Sequence, residues 1–250
     1  MSLLMDAVAW LGDAANWQGA DGVPTRTLQH LAITAGSVGA AVAVALPTGV
    51  LIGHTRRGAG LIGALTGAAR AIPTLGLLTV FGLAYGIGLK ASVVALVVLA
   101  VPSVLAGAYA GVQSVDAATV SAARAVGMRP SQVILRVELP LASPVVIGGI
   151  RAATLQVAAT ATLAAYIADF GLGRYLFAGL KSRDYPQMLA GALLVAALAL
   201  LLELAFATAQ RYATARLADP ARSAGPSRSD RTEARPAERP PPTRTRTRSA

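Results

Sequence analysis

Residues 113–141, QSVDAATVSAARAVGMRPSQVILRVELPL, hold the densest pattern of chemically informative residues in the chain. Asp116 is placed to accept from the free N–H groups that open a helix over 117–126. Gly127 supplies a left-handed turn after it. Ser131 then caps a second short helix after Pro130, and Pro140 ends that helix. The stretch thus reads as helix, glycine turn, helix and proline, with no bond-making group in it. Without a partner the same pattern is a plain cytoplasmic hairpin. A second set lies in an apolar run. Thr154, Gln156, Thr160, Thr162 and Tyr166 put hydroxyl and amide groups on a helix and form a candidate translocation path. The alternative for each Thr is a bond back to its own helix or packing against a neighbour.

Bond-making constellations are not legible. There is no Cys, which removes thiolate metal sites and disulfide frameworks, and His30 and His54 stand alone. No Ser/His/Asp cluster or carboxylate pair appears. The string after Gly82, GLAYGIGLKAS, has the wrong spacing for a phosphate-binding loop. The expectation is no enzyme active site, no metal and no cofactor in this chain.

The elements that must position these residues are membrane helices. Of 250 residues, 54% are hydrophobic and 14% charged, and mean hydropathy is +0.57. Soluble domains carry about 25% charge. A span needs about 20 apolar residues, and charge-free runs place five: 29–53, 66–88, 91–112, 143–167 and 187–209. The fold class expected is all-α, a polytopic transmembrane helical bundle of about five spans. Pro47, Pro73 and Pro102 lie inside apolar runs and can kink their helices. Arg151 is expensive inside a bilayer. It either snorkels to the interface or pairs with Glu138 or Glu203.

Three regions are expected. Residues 1–28 form an interfacial segment anchored by Trp10 and Trp17, without the basic start of a signal peptide. Residues 29–210 are the transmembrane domain, with 113–141 as its inner loop. Residues 211–250 are a disordered Arg/Pro-rich tail. They hold ten Arg against four acids, so much of the formal charge of +10 is local to them. The tail suits contact with anionic membrane lipid. It lacks the interleaved aromatics of a nucleic-acid binder, so no nucleic-acid partner is expected. Counting Arg and Lys by loop favours an outer N-terminus and a cytoplasmic C-terminus.

The inner loop resembles the EAA signature of ABC importer permeases, EAA-x3-G-x9-I-x-LP. Ser121-Ala122-Ala123 is followed at matching spacing by Gly127 and by Val137-Glu138-Leu139-Pro140. Ser121 stands where that family usually has Glu. From about Gln29 to Ala207 the chain is similar to the permease subunits of osmoprotectant importers, carried by LPTGVLIGHTRRG (46–58), RAIPTLGLL (70–78), GIRAATLQVAATATLAAYI (149–167) and GLGRYLFAGLKSRDYPQMLAGALL (171–194).

The resemblance implies a type I importer permease fold in a bacterial plasma membrane. Its partners would be ATP-binding subunits, a second permease copy or paralogue, and an extracytoplasmic substrate-binding protein. The substrate would be a quaternary ammonium such as glycine betaine, choline, carnitine or proline betaine. Ser121, Ala122, Ala123, Gly127, Val137, Leu139 and Pro140 would form the ATPase-coupling loop. With twelve aromatic residues the chain is poorly equipped for a tight cation cage, so tight capture would fall to the binding protein. The alternatives are an ABC permease for another small solute such as an amino acid, a self-sufficient secondary transporter, or a membrane scaffold using its basic tail. A secondary transporter typically shows repeats and intramembrane ionisable groups, of which only Arg151 and Glu203 are candidates.

Overall fold

Four helices in the computed structural model, which describes residues 2–222, are long and apolar enough to cross a bilayer: Val23–Thr55, Leu89–Gln113, Pro130–Ala164 and Tyr185–Ala215. The element order is α1 (Ser2–Gly12), a 3₁₀ turn (Ala14–Trp17), α2 (Val23–Thr55), α3 (Ala59–Ala71), α4 (Thr74–Tyr85), α5 (Leu89–Gln113), α6 (Ala117–Ala125) and α7 (Pro130–Val133). A π-turn (Ile134–Glu138) then leads into α8 (Leu139–Ala164), α9 (Gly173–Ser182) and α10 (Tyr185–Arg222). No strand occurs among the described residues.

The expected second span, 66–88, is not one helix. Pro73 has no N–H to donate and disfavours helical geometry at the residue before it. Ile72 is accordingly extended (φ −75°, ψ 119°), and the chain restarts as α4. The 12 residues of α4 rise only about 18 Å, too little to cross hydrocarbon alone. Together α3 and α4 lie on α5 and stand in place of the expected second span. Pro47 and Pro102 sit inside α2 and α5 without ending them.

The central helix is α5, which packs on α2, α8, α3 and α4. Lipid tails are as apolar as leucine, so membrane helices associate through close packing, and small residues permit it. The core accordingly uses Ala41, Ala45, Ala95, Ala100, Ala153 and Ala161 as much as branched side chains. Glycines make the tightest crossings. A Cβ on Gly107 would lie 2.5 Å from the Gly149 Cα, and one on Gly49 would lie 2.8 Å from the Leu105 carbonyl oxygen.

Arg151 is paired with Glu203. Its Nε donates to Glu203 at 2.7 Å, its Nη2 contacts the same carboxylate, and its Nη1 reaches Gln210 at 3.1 Å. The pair joins α8 to α10. The alternative partner, Glu138, is engaged elsewhere.

The expected region boundaries also move. Helix α2 begins at Val23, so residues 23–28 belong to the bundle. Helix α1 packs against α10, with Ala7 buried and Trp10 edge-on to Tyr175 at 5.2 Å. Trp17 donates its indole N–H to the Leu11 carbonyl. Helix α10 runs through Arg222, so 211–222 are helical rather than part of a disordered tail. The remainder of the expected tail lies outside the described residues.

Candidate functional site

The loop between α5 and α8 is set by three local devices. Asp116 accepts from the Ala118 N–H at 2.9 Å and opens α6. Gly127 closes it at φ +85°, with its N–H on the Arg124 carbonyl and the Met128 N–H on the Ala123 carbonyl. That double bond pattern is a Schellman turn, and a left-handed residue makes it. Both expectations for this stretch hold. Two others do not. Ser131 is not the cap of the next helix: Arg129 is, with Pro130 in its first turn and Gln132 Oε1 accepting from the Arg129 N–H at 2.8 Å. Nor does Pro140 end the helix. The π-turn, marked by the Leu139 N–H on the Ile134 carbonyl, takes up one extra residue before Pro140. Pro140 therefore falls in the first turn of α8, where its missing donor costs little.

Only one face of α6 is held. Val120 and Ala123 point inward onto Val133, Val115, Val112 and Ala142, in an apolar cluster that also takes Val50 from α2. Val137 and Leu139 pack against the same cluster. Ser121, Ala122, Arg124 and Val126 are exposed, Val126 to 78%. So the open side of α6 presents Ser121 and Ala122. Ala123 is an anchor, and a large residue there would strike the loop's own support rather than a partner.

Two polar contacts tie the base of the loop to the end of α2. Gln113 Nε2 donates to the Gly53 carbonyl at 3.0 Å. His54 Nδ1 lies 2.7 Å from Glu138 Oε2, with side-chain exposures of 13% and 4%. A carboxylate that buried needs its partner. We expect His54→Leu to destabilise the solubilised permease by about 3 kcal/mol, read as a fall in thermal midpoint. The double variant His54→Leu/Glu138→Leu should regain most of it, because no charge is then left buried alone. Equal melting of His54→Leu and the parent would remove this pair as a support of the loop.

The expected path residues separate onto different faces of α8. Gln156 is exposed, accepts from Ser103 Oγ at 3.0 Å, and lines a cavity of about 330 Å³ with Thr66, Pro102 and Ala152. Thr160 is half-buried. Thr154 is buried and donates to the Ile150 carbonyl of its own helix at 2.8 Å. Thr162 Oγ1 is buried and without a partner. Tyr166 lies beyond the end of α8, 70% exposed, with its ring 5.3 Å from that of Phe177 on α9. Ala152, Gln156 and Ala159 form one exposed stripe on α8, and Thr154 and Thr162 are off it.

At the opposite end of the bundle lies a polar knot that sequence reasoning missed. Arg26 is 5% exposed and bonds Asp21 at 2.5 Å, Asp169 at 3.0 Å and Gln29 at 3.1 Å. Gln29 in turn accepts from the Gly171 N–H, and Asp169 also takes Arg174 at 3.0 Å. The Tyr175 hydroxyl donates to the Asp21 carbonyl at 2.5 Å. Burial holds the Tyr175 phenol above its usual range, against the opposing pull of Arg26 and with a small push from Asp21. The proton therefore stays where it is donated. His30 Nε2 reaches the Ala158 carbonyl at 2.9 Å, beside Gly171 (φ +80°). The knot fastens α2, the segment after α8, and α9 together.

Comparison with known proteins fits this architecture. The choline transport system permease protein OpuBB of Bacillus subtilis is 34% identical over 178 residues, covering 71% of this chain and 82% of that protein. The osmoprotectant import permease protein OsmW of Salmonella typhimurium is 31% identical over 207 residues, covering 80% and 93%. Among solved structures, a chain of the MetNI methionine ABC transporter in an inward-facing form superposes with a TM-score of 0.64 at 26% identity, covering 74% of this chain and 93% of that one. Residues 45–219, from the middle of α2 almost to the end of α10, match the family model described as the binding-protein-dependent transport system inner membrane component, and the chain belongs to that family.

Proposed function

We propose that this chain is the transmembrane permease subunit of an ATP-driven importer for quaternary-ammonium osmoprotectants. The substrate class rests on relatives named for choline, carnitine and glycine betaine transport at 32–34% identity. The mechanism rests on one observation: α6 is anchored by Val120 and Ala123 and leaves Ser121 and Ala122 open for a partner. ATP hydrolysis belongs to separate subunits that dock there. The chain works with a second permease, its own copy or a paralogue, and receives substrate from an extracytoplasmic binding protein. It uses no cofactor of its own. The loop end of the bundle, with His54 and Glu138, is cytoplasmic. The Arg26 knot and α9 are outside.

Closure of the ATPases would move α6 as a lever. The apolar cluster and the His54–Glu138 contact would pass that movement to the inner ends of α2, α5 and α8. Because α8 carries the Gln156 stripe, its displacement would open one side of the cavity and close the other. Residues 1–22 would lie along the membrane interface, and the Arg-rich tail would contact anionic lipid.

Coexpression with an ATPase subunit and a binding protein tests this. We expect co-purification, and substrate-stimulated ATP hydrolysis with uptake of at least one of glycine betaine, choline and carnitine. Methionine belongs in the same panel, because the solved relative is a methionine transporter. Uptake of methionine alone would replace the substrate class and leave the importer reading in place. The chain lacks Cys, so single cysteines report topology directly. An impermeant maleimide on intact cells should label Ser182→Cys and spare Ser131→Cys, and the reverse would invert the orientation.

A further inference from the structure

Helix α9 carries an exposed stripe that the fold does not need. Tyr175 and Gly179 face the bundle and are buried. Arg174, Phe177 and Lys181 recur at spacings of three and four residues on another side, with Leu180 beside them, 58% exposed. Opposite this stripe, Tyr166 meets Phe177 with the two rings tilted at 57°. Tyr166, Phe177, Arg174, Lys181, Leu180 and Ile87 together line a cavity of about 520 Å³. A second cavity of about 320 Å³, against α4, shares Tyr166 and Phe177. These are ligand-sized spaces. The two aromatic rings line both, and the two cations line the larger.

The charges divide unequally. Arg174 is held by Asp169, which also takes Arg26. Asp184, just beyond α9, accepts from the Gln187 N–H. Lys181 is exposed and has no ion-pair partner among the described residues. The cavity thus presents π-faces for an organic cation and a free ammonium for an anion. One small solute satisfies both at once: a zwitterion with a quaternary ammonium at one end and a carboxylate at the other. Choline brings the cation without the carboxylate, and Lys181 would repel it.

We propose that Tyr166, Phe177 and Lys181 form a weak acceptor site for betaines, which selects the zwitterion over choline as substrate enters the permease. This rests on the osmoprotectant reading above. One exposed ring, one half-buried ring and one ammonium bind loosely, and a site that must release its ligand toward the path needs no more.

The test uses the permease–ATPase complex without binding protein, in nanodiscs. Leu180→Cys, or Ile87→Cys as a second reporter, is labelled with a fluorescent maleimide and read on the permease band. Glycine betaine should slow labelling several-fold and choline should leave it unchanged. Adding Lys181→Ala should weaken the glycine betaine effect about fivefold, the scale of an exposed charge contact. Phe177→Ala should weaken it about tenfold through the lost cation–π contact. Equal protection by choline and glycine betaine, unaffected by Lys181→Ala, would overturn the zwitterion selection. Absence of protection in a complex that imports glycine betaine with its binding protein would overturn the site and leave the proposed function standing. A complete importer that takes up no quaternary ammonium would overturn the proposed function, and this site with it.

Discussion

Leucine at Gly107 or at Gly149 is expected to eliminate folded permease from the membrane. A Cβ on Gly107 meets the Gly149 Cα at 2.5 Å, and a Cβ on Gly149 meets the Gly107 Cα at 2.6 Å. Both obstacles are backbone, so no side chain can swing aside. The two glycines sit where α5 crosses α8, and α5 also carries α2, α3 and α4. Forcing these helices apart would release close contacts along their whole length, which is the main source of helix association in lipid. Alanine at either position should cost about 1–3 kcal/mol by overpacking, visible as a lower thermal midpoint. Leucine should leave no monodisperse peak on size-exclusion chromatography. Gly39 is the control, because it is exposed and a Cβ there meets nothing within 4 Å. Gly39→Ala should behave as the parent. Normal yield and melting of Gly107→Leu would mean that α5 and α8 do not cross at this point.

How much of this could be read from residues alone depends on how local the signal is. The limits of α6 were legible because Asp116 and Gly127 act on N–H and C=O groups within a few positions of themselves. Proline was only half legible. Pro47, Pro73 and Pro102 look alike in apolar runs, yet only Pro73 breaks its helix. At Pro140 a proline that reads as a stop lies within the continuous helical run Pro130–Ala164, because a π-turn forms just before it. That outcome depends on the packing of Val133, Val137 and Leu139 against α2 and α5, which no local rule contains. Arg26 shows the limit more sharply. Asp21 and Gln29 lie within five residues of it, but Asp169 is 143 residues away, and that distant contact, which makes Arg26 a buried hub, has no neighbourhood signature. Arg151 was legible as far as needing a partner, because a bare guanidinium in lipid is costly. The choice of Glu203 over Glu138 required the fold. Ala123 is an avoidable miss: with Val120 it forms an apolar pair three residues apart, the spacing of a buried helix face.

That inward turn of Ala123 decides how the proposed coupling role of the loop should be probed. Ala122→Trp is expected to abolish ATPase co-purification and substrate-stimulated hydrolysis while insertion and melting stay normal. Ala122 is on the open side of α6, so the indole would stand between the loop and its partner without touching Val120, Val133 or Ala142. Ala123→Trp should also abolish coupling, but by another route. Its ring would be driven into the cluster beneath the loop, and the thermal midpoint should fall with it. Gly127→Val places a β-branched residue at φ +85°, a strain of about 1–2 kcal/mol. It would undo the Schellman turn and misdirect α6 relative to α7. Ser121→Glu adds a charge on the open side and should be tolerated in folding. The separation of the two alanines is the informative outcome, since a simple loss of structure cannot spare one and not the other. If Ala122→Trp kept full ATPase association and transport, the open face of α6 would not be the docking surface. Force would then have to enter through another part of the loop end of the bundle.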